Sequence, residues 1–153
     1  MYRLFIISFT LLFSLNSFTA EPVSTSYWGD KAVGGTDVLS YHSAAQAGNR
    51  TIVEGSARFK VRWNEADWYF ASQQSADKFA SGPERYRPRY NGFCSNALSL
   101  GEGLISTNGQ VWEFFNGELH LFFAERGRQR WLTGDWQSYQ RTADQAWQQA
   151  LNN

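Results

Sequence analysis

The chain has one cysteine, two histidines and, beyond Met1, no methionine. A single thiol excludes an intrachain disulfide, so the fold must hold by packing. The missing thioethers exclude a Met-rich copper(I) site. Charge of one sign is also missing, since the formal net charge is zero. Without Arg3, the one charged residue of the first twenty, 13 basic side chains face 14 acidic ones. That balance supplies no basic field for sequence-independent binding of nucleic acid. Motifs are scarce too. No GxSxG, HExxH, P-loop or GxGxxG occurs, and no CxxC or HxxxH metal spacing. There is no internal repeat and no low-complexity tract.

Long apolar runs are confined to the start. Leu4–Leu15 is apolar, interrupted only by Ser and Thr, and follows Arg3. It is short for a bilayer span, which takes about 20 residues. The pattern predicts a secretory signal peptide over 1–20, with Ala20 at the cut. Phe18 suits its place before the cut poorly, which leaves the exact site open. No cysteine lies nearby, which excludes lipid attachment there. The expectation is a soluble periplasmic protein with no membrane span once the signal is removed.

What the chain has in abundance is aromatic residues, 17% of the total, with seven Trp. Most must be buried, because so many exposed rings would make adhesive patches. Residues 21–34 read as a flexible leader. Asp37 is a helix N-cap, followed by Val38, Leu39, Tyr41, His42 and Ala45 on a partial apolar face, with Gly48-Asn49 as the stop. Thr51–Glu54 is β-branched and short, a strand candidate. In Arg58–Trp63, Phe59, Val61 and Trp63 alternate with basic residues, the pattern of a half-buried strand. Asn64–Asp67 turns it back into the aromatic run Trp68–Ala71, making a hairpin.

Ser72 caps a second helix whose inner face is Ala76, Phe79 and Ala80. Gly82-Pro83 stops it, and Pro83 opens a new short turn holding Tyr86. Phe79 and Tyr86 are expected core residues. Asn91-Gly92 is a tight turn before Phe93 and Cys94, and Cys94 opens a further short helix. Asn116-Gly117 between two aromatic runs, Val111–Phe115 and Glu118–Phe123, is the strongest hairpin signal in the chain. From about Ala124 the tail reads as helix in two parts, broken near Thr133-Gly134. Trp136, Tyr139, Ala143, Trp147, Ala150 and Leu151 form one stripe of the second part. The sequence therefore predicts an α+β fold. It is a small single domain with two antiparallel hairpins packed by short helices and a C-terminal helix.

Several of these pieces resemble the YHS domain, in particular the exported YHS-domain-containing proteins of bacteria. They are Gly35-Thr36-Asp37-Val38 with Tyr41, Glu54-Gly55, Phe70-Ala71-Ser72, Phe79, Pro83-Glu84-Arg85-Tyr86 with Pro88, and Tyr90-Asn91-Gly92-Phe93-Cys94. The second half adds Trp112, Asn116-Gly117-Glu118-Leu119, Trp131, and Ala143-Asp144 with Trp147. On this resemblance 35–153 is a YHS-like domain with a C-terminal helical extension. YHS domains of heavy-metal transporters resemble metal-binding knuckles, whose cysteines fall where this chain has Ala71 and Ser75 or Ala76. The exported branch keeps the later cysteine, matched by Cys94. The tyrosine usual in its second hairpin is replaced here by His120.

Three function classes follow. The first is a binding or accessory domain of the cell envelope, linked to a metal, copper or zinc. Cys94, His42 and His120 are its candidate ligands, a Cys-His₂ set of the right chemistry drawn from three distant segments. The second is a thiol-dependent redox protein using Cys94, which needs an exposed thiol in an electropositive niche. Arg85, Arg87 and Arg89 are near enough in sequence to supply one. The third is a structural interaction module with an exposed aromatic patch. A lone cysteine is most often a buried small hydrophobe, and lone histidines are most often satisfied polar residues. Asp37, Glu54, Asp67 and Asp144 are scattered carboxylates that caps and turns explain. The partner is a small ligand, a metal ion or an envelope protein, and no catalytic residue is assigned.

Overall fold

The structure, a computed structural model, describes residues 19–153. The expected signal peptide lies almost wholly outside the described residues. Helix α1 spans Val38–Ala47. Strands β1 (Ser56–Trp63) and β2 (Ala66–Phe70) form an antiparallel hairpin. Helix α2 is Gln73–Ala80, and the short α3 is Ser95–Ser99. A second antiparallel hairpin joins β3 (Val111–Phe115) to β4 (Glu118–Phe122). Two helices, α4 (Glu125–Thr133) and α5 (Trp136–Leu151), end the chain. The fold is thus α+β, as expected.

Local chemistry explains the boundaries. Asp37 accepts the Leu39 amide at 3.0 Å through one carboxylate oxygen. Its other oxygen accepts the Ala71 amide, also at 3.0 Å. One side chain thereby caps α1 and ties it to the exit of β2. Ser72 caps α2 by accepting the Ser75 amide at 3.1 Å. Asn116 and Gly117 take φ of 50° and 78°, the left-handed pair that a two-residue hairpin turn requires.

The larger core lies between α1, the β1–β2 hairpin, α2 and the inner face of β3–β4. Phe79 is its hub. It stacks on Trp68 at 5.1 Å between centroids and meets Phe70 at the same distance. A second cluster joins Tyr90, Phe93 and Leu98 to Ala143 and Trp147 of α5. A third gathers Phe115, Phe122 and Trp131. Tyr86, expected inside, is half-buried and meets His42 edge-on.

Two expectations are corrected. Thr51–Glu54 is not a strand; Glu54 makes only an isolated bridge with Thr36. Residues 21–34 are not a loose leader. Val23, Ser24, Ala32 and Val33 are buried. The Ser24 amide donates to the Asn91 carbonyl at 3.0 Å, and the Ser24 carbonyl accepts from the Val33 amide at 2.9 Å. Val23, Ala32 and Val33 bring apolar surface to the core, and the backbone beside them pairs with β2 through Lys31 and Asp67. Residues 26–30, around the turn at Tyr27 and Trp28, stand out in solvent. Among the described residues no helix is long and apolar enough to cross a membrane.

Candidate functional site

Cys94, His42 and His120 sit in three different surroundings. Cys94 is the N-cap of α3, where its sulfur accepts the Ala97 amide at 3.4 Å. The same sulfur accepts the Phe123 amide, just past β4, at 3.2 Å. Its 4% exposure opens onto a depression of about 60 Å³ beside Ile105 and Phe123.

His120, on β4, is fully buried. Its Nδ1 is hydrogen-bonded to Ser95 Oγ at 2.9 Å, and its Nε2 has no partner among the described residues. Tyr90, Phe115 and Trp131 surround the ring, with Trp131 closest at 5.1 Å between centroids. Burial drives its pKa down to about 3, and the nearby Arg89 charge pushes the same way. The imidazole is therefore neutral across the physiological range.

His42, on α1, is half-buried and donates from Nε2 to the Tyr86 carbonyl at 3.2 Å. Burial lowers its pKa as well, and Lys78 adds to that lowering. A Cys-His₂ metal needs its three donors around one point. Among the described residues no set of three His, Cys, Asp or Glu side chains is gathered closely enough to hold a metal ion. The candidate ligands Cys94, His42 and His120 do not form such a set.

A connected polar cluster lies where the chain enters the Asn91-Gly92 turn. Tyr90, Asn91 and Gly92 all take positive φ, at 55°, 48° and 87°. A tyrosine in the left-handed region is uncommon and costs energy. The turn is held because all three residues are buried and bonded. Asn91 Nδ2 donates to Glu21 Oε2 at 3.1 Å and to the Pro22 carbonyl at 3.0 Å. Thr107 Oγ1 donates to the Gly92 carbonyl at 2.8 Å. A β-carbon at Gly92 would lie 2.3 Å from Val33 Cγ1, so both space and φ demand glycine there.

This corner aims Arg89 and Tyr90 at α5. Arg89 Nη2 lies 2.7 Å from Asp144 Oδ1, and its Nη1 pairs with Glu118 of β4. The Tyr90 hydroxyl donates to the same Asp144 oxygen at 2.7 Å. Gln140, one turn before Asp144, donates to Glu118 at 3.2 Å. Burial, with the Asp144 carboxylate beside it, pushes the Tyr90 phenol well above its ordinary range. Arg87, Arg89, Tyr90, Asp144, Trp147 and Gln148, with Glu21 at the edge, line a groove of about 410 Å³.

Sequence reasoning placed Asp144 among turn and cap carboxylates and did not connect it to Arg89. One signal was available. On α5, Ala143 and Trp147 belong to the buried stripe, which sets Asp144 at its margin, facing the domain. Comparison with known protein families, with curated proteins and with solved structures finds no match for this chain.

Proposed function

We propose that this chain is an exported, YHS-like binding or accessory domain of the cell envelope, and that it binds through the groove beside Arg87 and Arg89. The observation that carries the reading is a convergence. Arg89 and Tyr90 meet Asp144 and Trp147, more than fifty residues away, around one groove of about 410 Å³. Both segments are among those that resemble the YHS family. The volume falls within the range of small-ligand sites, about 300–1,000 Å³. Two guanidinium groups and two carboxylates in the wall suit a small polar ligand that carries both charges. The strained turn at Tyr90 and Asn91 is the kind of backbone that gathers at functional corners.

Native mass spectrometry of protein recovered from the periplasm tests both halves of the reading. The expected species begins near Glu21 and carries an added non-covalent mass. Arg87→Gln should lose that mass, because Arg87 lines the groove and, among the described residues, its one ion pair is with the exposed Glu84. A cytoplasmic chain with intact Met1 would refute export, and identical spectra for both proteins would refute the groove. A second reading, a structural interaction module, is favoured by Tyr27 and Trp28. They are 88% and 91% exposed and pack edge-on at 4.6 Å. Trp28→Ala would then abolish association with an envelope protein and leave the groove untouched.

A further inference from the structure

A second cleft, distinct from the Arg89 groove, lies between α1 and α2. Its α1 wall is Leu39, His42, Ser43 and Gln46, spaced at i, i+3, i+4 and i+7 along one helix face. Its α2 wall is Gln74, Ser75 and Lys78, and Tyr86 completes the lining. The volume is about 440 Å³, again within the small-ligand range of about 300–1,000 Å³.

The lining contains no carboxylate. Lys78 makes no ion pair among the described residues, and its ammonium lies 5.7 Å from the centre of the Tyr86 ring. On the same helix, the Asp77 carboxylate already accepts from Gln73 at 2.8 Å. Glu84, which lines a separate small cavity on His42, is held by Arg87 at 2.6 Å. The cleft therefore presents one uncompensated ammonium. Two primary amides, Gln46 and Gln74, and the Ser75 hydroxyl accompany it, and none of these three side chains has another hydrogen-bond partner among the described residues. His42 Nε2 donates to the Tyr86 carbonyl, which leaves Nδ1 as an acceptor. Leu39 and the Tyr86 ring give the cleft its apolar wall.

We infer that the α1–α2 cleft binds a small organic monocarboxylate, its carboxylate on Lys78 and its apolar body against Leu39 and Tyr86. One fixed positive charge matches one negative charge. A phosphate carrying two charges and no apolar body would leave a charge unmatched and the apolar wall empty. The site is independent of the Arg89 groove and of export.

The test is a titration of the folded chain with benzoate, read by amide shifts in ¹⁵N-labelled protein. Benzyl alcohol and inorganic phosphate are the controls. Saturable shifts confined to α1, α2 and the Tyr86 turn are expected with benzoate. Benzyl alcohol should bind at least tenfold more weakly. Lys78→Met should weaken benzoate binding at least tenfold, and Lys78→Arg should restore most of it. Lys78 is exposed, so both variants keep the fold. Absence of saturable benzoate shifts, or equal binding by Lys78→Met, would overturn the site. Phosphate binding as tight as benzoate would overturn the ligand class.

Discussion

The Tyr90 hydroxyl donates to Asp144 Oδ1 at 2.7 Å, across 54 residues of chain. This bond joins the strained turn before α3 to the C-terminal helix. Arg89 grips the same carboxylate oxygen, so two neighbours in sequence clamp one acceptor. Removing the hydroxyl leaves Arg89 on Asp144 and deletes one hydrogen bond to a charged group. Such bonds contribute about 1.5–3 kcal/mol. Tyr90→Phe should destabilise by about that amount in urea unfolding, with α5 losing amide protection first. Wild-type stability in this variant would mean that Asp144 is held by Arg89 alone.

His120 makes a prediction about acid. In the unfolded chain it titrates near its ordinary pKa of about 6.5. In the fold that value falls to about 3 because the ring is buried. Its neutral burial contributes fully above about pH 6.5, and that contribution is lost as pH falls toward 3, at about 1.4 kcal/mol per pH unit. His42 is shifted in the same direction and adds to the slope. His120→Gln should flatten the acid limb of stability relative to wild type. Parallel curves for the two proteins between pH 6.5 and 4 would show that His120 is not buried neutral.

Phe79 is fully buried and touches Trp63, Trp68 and Phe70. Phe79→Ala removes the ring around which α2 and the first hairpin pack. The expected cost is about 3–5 kcal/mol, combining lost transfer energy with a cavity. Chemical denaturation checks it, and a loss under about 1 kcal/mol would place the ring at the surface.

The elements around Phe79 were legible because they rest on local signals. Alternation in Phe59, Val61 and Trp63, the caps Asp37 and Ser72, and the pair Asn116-Gly117 all act within a few residues. Each matches the structure, and the break near Gly134 separates α4 from α5 as expected. What stayed hidden depends on distant partners. Ser24 is polar and follows a signal-like run, and nothing local tells that Asn91 and Thr107 will bond it. The Arg89–Asp144 pair is hidden for the same reason. A charge in a turn and a charge on a helix look solvated until packing of Tyr90 on Trp147 brings their backbones together. His120 could be singled out, but not the apolar cage that keeps it neutral.

Cys94 carries the last prediction, because the thiol-dependent reading depends on its reach. Its sulfur accepts two backbone amides, one from α3 and one from Phe123, and so fastens the second hairpin to the short helix. Cys94→Ala leaves the buried Ala97 amide and the partly buried Phe123 amide without this acceptor, at a cost of about 1–3 kcal/mol. Cys94→Ser restores an acceptor of shorter reach and should lie between alanine and wild type. That order, Cys above Ser above Ala, is the mark of an acceptor role, since a purely apolar role would favour Ala over Ser. At 4% exposure the thiol should also resist a bulky disulfide reagent in the native protein and react fully on unfolding. Rapid native reaction, at a rate independent of stability, would show that the sulfur is reachable and would return redox chemistry at Cys94 to consideration.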